Sequence, residues 1–180
     1  MVILKGTQTE KNLMEAFAGE SQARNKYTYF AAKAKEEGYE QVAAVFEESA
    51  VNEREHAKMW FKMLSGGDIQ STADNLKAAI AGEHGEWTEM YKRMADDART
   101  DGFNGIAYLF ESVAKIENGH EERFAALLKE IDGSAETEKK EKSIWMCSSC
   151  GYIVDGENAP DKCPVCEDPK ARFERRVINY

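Results

Sequence analysis

The 180-residue chain carries 24 Lys and Arg against 33 Asp and Glu, a formal net charge of -9. That balance argues against a nucleic-acid binder, which needs a basic face to displace counterions from phosphates, and against a polybasic membrane-surface protein. No apolar run approaches the ~20 residues of a membrane span. The start, MVILKGTQTEK, lacks the basic, apolar and small-residue build of a signal peptide, so a cytoplasmic location is expected.

Residues 1–133 contain neither proline nor cysteine and are rich in Ala, Glu, Lys and Met. Nothing there removes backbone donors or fixes φ, so long helices are expected. Glycines divide the stretch into four. The first helix spans about 9–37 and stops at Gly38. The second spans about 39–65 and stops at Gly66-Gly67. The third starts near Ser71 or Thr72 and ends before Asp101-Gly102. The fourth spans about 103–131 and stops at Gly133. Gly just past a helix end takes the left-handed backbone that closes the last turn.

Steps of three and four trace one apolar stripe along each helix. Each stripe is interrupted near its middle by carboxylates: Glu20 in the first, Glu53 with His56 in the second, Glu83 and Glu86 in the third, Glu117 with His120 in the fourth. A carboxylate on a core stripe is costly unless paired or metal-bound. Ala16-Phe-Ala-Gly-Glu20 recurs as Ala79-Ile-Ala-Gly-Glu83. Phe46-Glu47 and Glu53-x-x-His56 recur as Phe110-Glu111 and Glu117-x-x-His120, at an offset larger by one position. The half-sequence is therefore duplicated.

One Glu-x-x-His is common in helices and reads as a solvated pair. Two, at matched places of a repeat and on the apolar stripe, read as ligands, because the i, i+3 spacing puts both groups on one helical face. A Glu from each of two helices with Glu-x-x-His from each of two others is the ligand set of a two-metal site in a four-helix bundle. Carboxylate oxygens and imidazoles suit Fe or Mn. Glu86 has no repeat counterpart, since Ala23 stands in its place; it is read as an extra or alternative ligand. Tyr27 and Tyr91 lie within two turns of the acids and could hold a proton there. His84 falls off the stripe and is read as exposed, and Arg24 is expected to pair with a carboxylate.

All four cysteines and all three prolines lie between Cys147 and Pro169. Cys147-Ser-Ser-Cys150 and Cys163-Pro-Val-Cys166 form two Cys-x-x-Cys pairs separated by twelve residues, a tetrahedral four-thiolate site for Zn or Fe. A module of residues 144–180 is too small to fold on apolar burial alone and depends on the metal. Trp145, Tyr152 and Phe173 are expected to make its aromatic core. Residues 134–143 lack bulky apolar side chains and read as a linker.

With both parts in view, the chain resembles the rubrerythrin family over essentially its full length. Ala18-Gly-Glu-Ser-Gln-Ala-Arg24, Glu53-Arg-Glu-His56, Gly82-Glu-His-Gly-Glu86 and Glu117-Asn-Gly-His120 look like that family's ferritin-like di-iron domain. Cys147-Ser-Ser-Cys-Gly-Tyr152 and Cys163-Pro-Val-Cys166 look like its rubredoxin domain, with Glu167 standing where a free-standing rubredoxin commonly has Gly. The resemblance implies a mainly α fold, a four-helix ferritin-like bundle followed by a small rubredoxin-like β/loop domain.

It also implies three Fe per chain, two in the bundle and one on Cys147, Cys150, Cys163 and Cys166, with Zn able to substitute. Glu53 and Glu117 would bridge the irons. Glu20 would be terminal on one, and Glu83 with His120 on the other. Glu86 and His56 would exchange with redox state. The implied activity is a non-haem peroxidase that reduces hydrogen peroxide to water and protects against oxidative stress. Electrons would come from a separate NADH-dependent reductase or another donor, and the assembly would be a head-to-tail homodimer in which the rubredoxin iron serves the partner. Two other readings are kept: a ferroxidase or iron-handling protein, and a zinc-ribbon protein whose helices bind a partner.

Overall fold

The computed structural model describes residues 3–133, 144–156 and 158–176. The expected linker, 134–143, lies outside them. The chain divides into two compact units, Met1–Gln70 and Ser71–Tyr180.

The first unit is an antiparallel helical hairpin of α1 (Gln8–Glu36) and α2 (Glu40–Leu64). Thr7 caps α1 by accepting from the Glu10 N–H at 3.1 Å, an interaction typically worth ~1 kcal/mol. At the other end Gly38 takes φ +82, which lets the Tyr39 N–H reach back to the Ala34 carbonyl at 2.8 Å. That is the 6→1 bond of a Schellman turn. Ala31, Ala34, Ala43, Ala50 and Ala57 are the buried residues of this hairpin. Small side chains on the seam allow the helices to approach closely.

The second unit begins with α3 (Thr72–Gly85), continues without a break through a π-helical turn (Glu86–Met90) into α4 (Tyr91–Thr100), and returns as α5 (Asn104–Ile131). Ser71 caps α3 through the Asp74 N–H. Gly102 (φ +86) closes the far end, with the Phe103 N–H on the Ala98 carbonyl. The four predicted helical rods are therefore present with ends within about two residues of expectation, but the third is not uniform. Its middle turn is held by an i→i−5 bond from the Tyr91 N–H to the Glu86 carbonyl.

The duplication extends to single contacts. Ala31, Ala34 and Ala43 are buried, and so are their repeat counterparts Ala95, Ala98 and Ala107. Lys35 pairs with Glu47 across the first hairpin, and Arg99 with Glu111 across the second. Tyr27 packs on Phe46 with ring centroids 5.9 Å apart, and Tyr91 on Phe110 at 6.1 Å.

The small module is an antiparallel sheet, β2 (Ile153–Asp155), β1 (Ile144–Cys147) and β3 (Phe173–Arg176), with β1 central. Its core is Cys147, Ala159, Cys163 and Phe173, flanked by Trp145 and Tyr152 as expected. No helix among the described residues is long and apolar enough to cross a membrane.

Candidate metal centres

Among the described residues, three groups of metal-capable side chains form, each with its ligand atoms within 4.8 Å of one another: Glu20, Glu53 and His56; Glu83, Glu117 and His120; and Cys147, Cys150, Cys163 and Cys166.

In the first triad α1 supplies Glu20 and α2 supplies the pair one turn apart. His56 Nδ1 lies 2.8 Å from Glu53 Oε2. In the second, α3 supplies Glu83, and His120 Nδ1 lies 2.6 Å from Glu117 Oε2 and 3.7 Å from Glu83 Oε1. In both, Nδ1 turns towards the carboxylates. Burial and then the Glu117 charge hold the Glu83 carboxyl above its usual range. Clustered, partly buried carboxylates with imidazole beside them are an unfavourable arrangement that a divalent cation resolves. The donor set fits iron.

The four sulfurs are free thiols rather than disulfides. Cys147 Sγ and Cys166 Sγ are 3.7 Å apart, as are Cys150 Sγ and Cys163 Sγ. A tetrahedral metal with M–S bonds of about 2.3 Å requires sulfur separations of about 3.8 Å, so the cage fits a four-thiolate ion. The two knuckles are built alike. The Gly151 and Glu167 N–H groups donate to the Cys147 and Cys163 carbonyls at 2.8 and 3.0 Å. The Cys147 and Cys163 N–H groups donate to the Tyr152 and Asp168 carbonyls, both at 2.8 Å. Burial pushes the Cys147 thiol up, but the N–H groups of Cys150 and Ser149 outweigh it and the net direction is down. Burial raises Cys150 and Cys166.

The rubrerythrin profile matches residues 11–128, with a second, overlapping match at 74–145. The rubrerythrin rubredoxin-like domain matches residues 145–174. The chain belongs to the rubrerythrin family. The start of the second match is displaced from that of the first by the same offset that separates Glu83 from Glu20, so the profile registers the internal repeat. The rubrerythrin of Porphyromonas gingivalis is 47% identical over 98% of this chain and 94% of its own length. Rubrerythrin-1 of Clostridium acetobutylicum is 46% identical, and the rubrerythrin of Nitratidesulfovibrio vulgaris 45%, each over the full length of both chains. As a rubrerythrin, the chain has a di-iron carboxylate domain and a rubredoxin-like four-cysteine domain.

Not every expected site residue joins a triad. Glu86 stands outside the second one, at the start of the π turn. Tyr27 packs among Phe30 and Phe46. Its repeat counterpart Tyr91 feels the acids of the second hairpin. Burial is the largest influence raising the Tyr91 phenol, followed by the charges of Glu117, Glu86 and Glu83. Arg24 departs from expectation: it donates to Asn25 Oδ1 at 3.1 Å rather than to a carboxylate. It stands on the exposed side of α1. His84 is exposed as expected, 3.1 Å from Glu121 Oε1. Trp87 Nε1 also donates to Glu121.

The π turn was not anticipated, although a signal for it is present. Tyr91 follows Tyr27 at an offset one position longer than that by which Glu83 follows Glu20. One extra residue must enter between Glu83 and Tyr91, and a π turn is how a helix absorbs one residue without changing its ends.

Proposed function

We propose that this rubrerythrin is a non-haem hydrogen peroxide reductase protecting the cytoplasm against oxidative stress. Oxygen-and-imidazole triads and a four-thiolate cage in one chain carry this reading, because they pair a site suited to O–O chemistry with a one-electron carrier. Residues 1–133 form the di-iron domain, 134–143 the linker and 144–180 the rubredoxin-like domain.

The two triads and Glu86 would hold the two irons of the carboxylate domain, and the four cysteines would hold a third, which Zn could replace where iron is scarce. Glu20 and Glu53 would hold iron from the first triad, and Glu83, Glu117 and His120 from the second. Glu86 would hold iron where an anionic oxygen suits the ferric ion, and His56 where a neutral nitrogen suits the ferrous ion. When bound, the irons supply two electrons to the O–O bond. With two protons, hydrogen peroxide then leaves as two waters. The Tyr91 hydroxyl keeps its proton beside Glu83, Glu86 and Glu117, and Tyr27 occupies the matching place of the first hairpin.

Electrons arrive from a separate NADH-dependent reductase or another donor through the cysteine cage. Exposed apolar side chains on the helices, such as Tyr29, Val45 and Tyr108, favour assembly of copies as a head-to-tail homodimer.

The test is a metal analysis with a visible spectrum before and after peroxide. About three irons per chain are expected, with a red ferric four-thiolate spectrum and rapid oxidation of the reduced protein. The double variant Glu53→Ala/Glu117→Ala should lose about a hundredfold or more of that oxidation rate. Equal rates in the two proteins would sink the peroxidase reading. Slow peroxide reaction with fast ferrous oxidation by oxygen would instead favour the iron-handling alternative.

A further inference from the structure

Glu86 opens the π turn, and the chain on either side of it is tied to α5 by one side chain. Glu121 follows the triad residue His120. Its carboxylate receives the Trp87 indole N–H, and its two oxygens stand 3.1 and 3.2 Å from His84 Nδ1. His84 and Trp87 are spaced i, i+3, so they share one flank of the helix and bracket Gly85-Glu86. Their rings pack edge to face with centroids 5.6 Å apart, and Lys92 Nζ stands over the indole at 5.6 Å. Thr88 Oγ1 donates to the His84 carbonyl at 2.5 Å. The Glu121 side chain is only 22% exposed, so water competes weakly for its charge-assisted bonds.

The first hairpin has no such clamp, although it repeats the second in so much else. Ala57 stands at the place of Glu121 and is buried. Ser21 stands at the place of His84, and Ala23 or Arg24, according to the offset, at that of Trp87. The same hairpin lacks the π turn and an acid at the place of Glu86. The differences gather on one spot. Gly85 adds to them, since its counterpart is Gln22. Gly85 has φ -64, ordinary helical backbone, and a Cβ there would meet no described atom within 4 Å. Neither backbone nor space requires glycine at this position. What remains is its effect on the helix, which it loosens. A loosened turn needs a hold from outside, and Glu121 provides one across the helix pair.

We infer that Glu121 is the positioning residue for Glu86: by holding His84 and Trp87 on α5 it fixes both flanks of a loosened turn, and so sets where the Glu86 carboxylate is presented to the metals. Glu121 stands outside both triads and acts through its two partners. This rests on the reading of Glu86 as an iron ligand and not on the peroxidase activity.

Two arms test it on the full chain. The first reads the clamp alone, by nuclear magnetic resonance of the zinc-loaded protein. The Trp87 indole N–H signal is assigned by its loss in Trp87→Phe. It should exchange with water about tenfold or more faster in Glu121→Ala than in wild type, as expected when a hydrogen bond to a charged group is lost. Equal exchange in the two proteins overturns the clamp.

The second arm reads the release of bundle iron to an excess of chelator, with the red centre as internal control for folding. Glu121→Ala and Trp87→Phe should each release bundle iron roughly tenfold faster, the lower end of what loss of an outer-shell partner costs. The visible spectrum of the red centre should be unchanged in both. Glu121→Gln keeps an acceptor for the indole and should fall between wild type and Glu121→Ala. The deciding variant is Glu86→Ala/Glu121→Ala, which should lose iron no faster than Glu86→Ala alone, because groups that act through one another are not additive. Losses that multiply would overturn the inference and leave Glu121 a general prop of the helix pair. A wild-type rate in Glu86→Ala would sink the ligand reading of Glu86 and this inference with it. A fast Glu86→Ala beside an unchanged Glu121→Ala would sink this inference alone. Iron release as expected, with no peroxide reduction by the wild type, would sink the peroxidase reading and leave the positioning role standing.

Discussion

In α1, Glu20 and Tyr27 are seven residues apart on unbroken α-helix. In α3–α4 their counterparts Glu83 and Tyr91 are eight apart with a π turn between them. Around that one difference the hairpins repeat each other in turn glycine, buried alanines, cross-hairpin ion pair and Tyr–Phe packing. Duplication of the hairpin supplies two equal triads. The extra residue makes them unequal, and Glu86, which the first hairpin lacks, stands at the start of the inserted turn.

The sharpest way to break this comparison is to remove the extra residue. Deletion of Thr88 should restore the seven-residue spacing and a continuous α-helix. We expect a folded protein with an unchanged red centre and peroxide turnover reduced by about tenfold or more, because a one-residue shift rotates everything on one side of it by about 100°. Retained turnover would make the π turn a relic of insertion with no part in the chemistry.

A milder version is Glu86→Ala, which keeps the turn and removes only the carboxylate. It should spare the four-thiolate spectrum and lower either turnover or bundle iron occupancy, read by metal analysis beside the rate. If neither moves, Glu86 has no role as a ligand.

The third prediction concerns the metal-free protein. Because folding raises the Glu83 value, its stabilising contribution is complete below the ordinary glutamate value and is lost as pH rises through the raised one. Metal-free Glu83→Gln should therefore melt above metal-free wild type near neutral pH, and the gap should close on acidification. With iron bound, wild type should melt higher at neutral pH. A gap that does not change with pH would mean that the second triad is not electrostatically strained.

The smallest effect contrasts the two cysteine knuckles. Glu167→Gly removes a side chain from left-handed backbone and should stabilise the metal-loaded module by up to about 1 kcal/mol, less whatever the exposed Lys162 pair contributes. Thermal melting of the loaded chain measures it. Destabilisation would show that the ion pair outweighs the strain.

Much of the helical architecture is legible because glycine marks each stop and because acids on an apolar stripe have few other meanings. The triads follow from periodicity and the repeat. The cysteine cage follows from spacing, and its aromatic lining of Trp145, Tyr152 and Phe173 from composition. Three features escape that kind of reading. A stripe traced at a constant helical period passes over a π turn, even though the one-position step in the repeat offset records it. Arg24 sits on the stripe by count, yet it is exposed on α1 and its side-chain hydrogen bond among the described residues goes to Asn25. The clamp of Glu121 on His84 and Trp87 joins distant positions in different elements, and no local pattern encodes such a contact. The residues themselves are visible in the sequence, but their reason is tertiary.

The sulfur cage has one more consequence. Its edges are set by main-chain bonds at both knuckles, and the 3.7 Å separations are already those of a tetrahedral ion. A metal that gains or loses an electron in such a cage shifts few atoms and reorders little water around it. The polypeptide's contribution to speed is thus stiffness: donors fixed in advance have no rearrangement to make at the moment the electron moves.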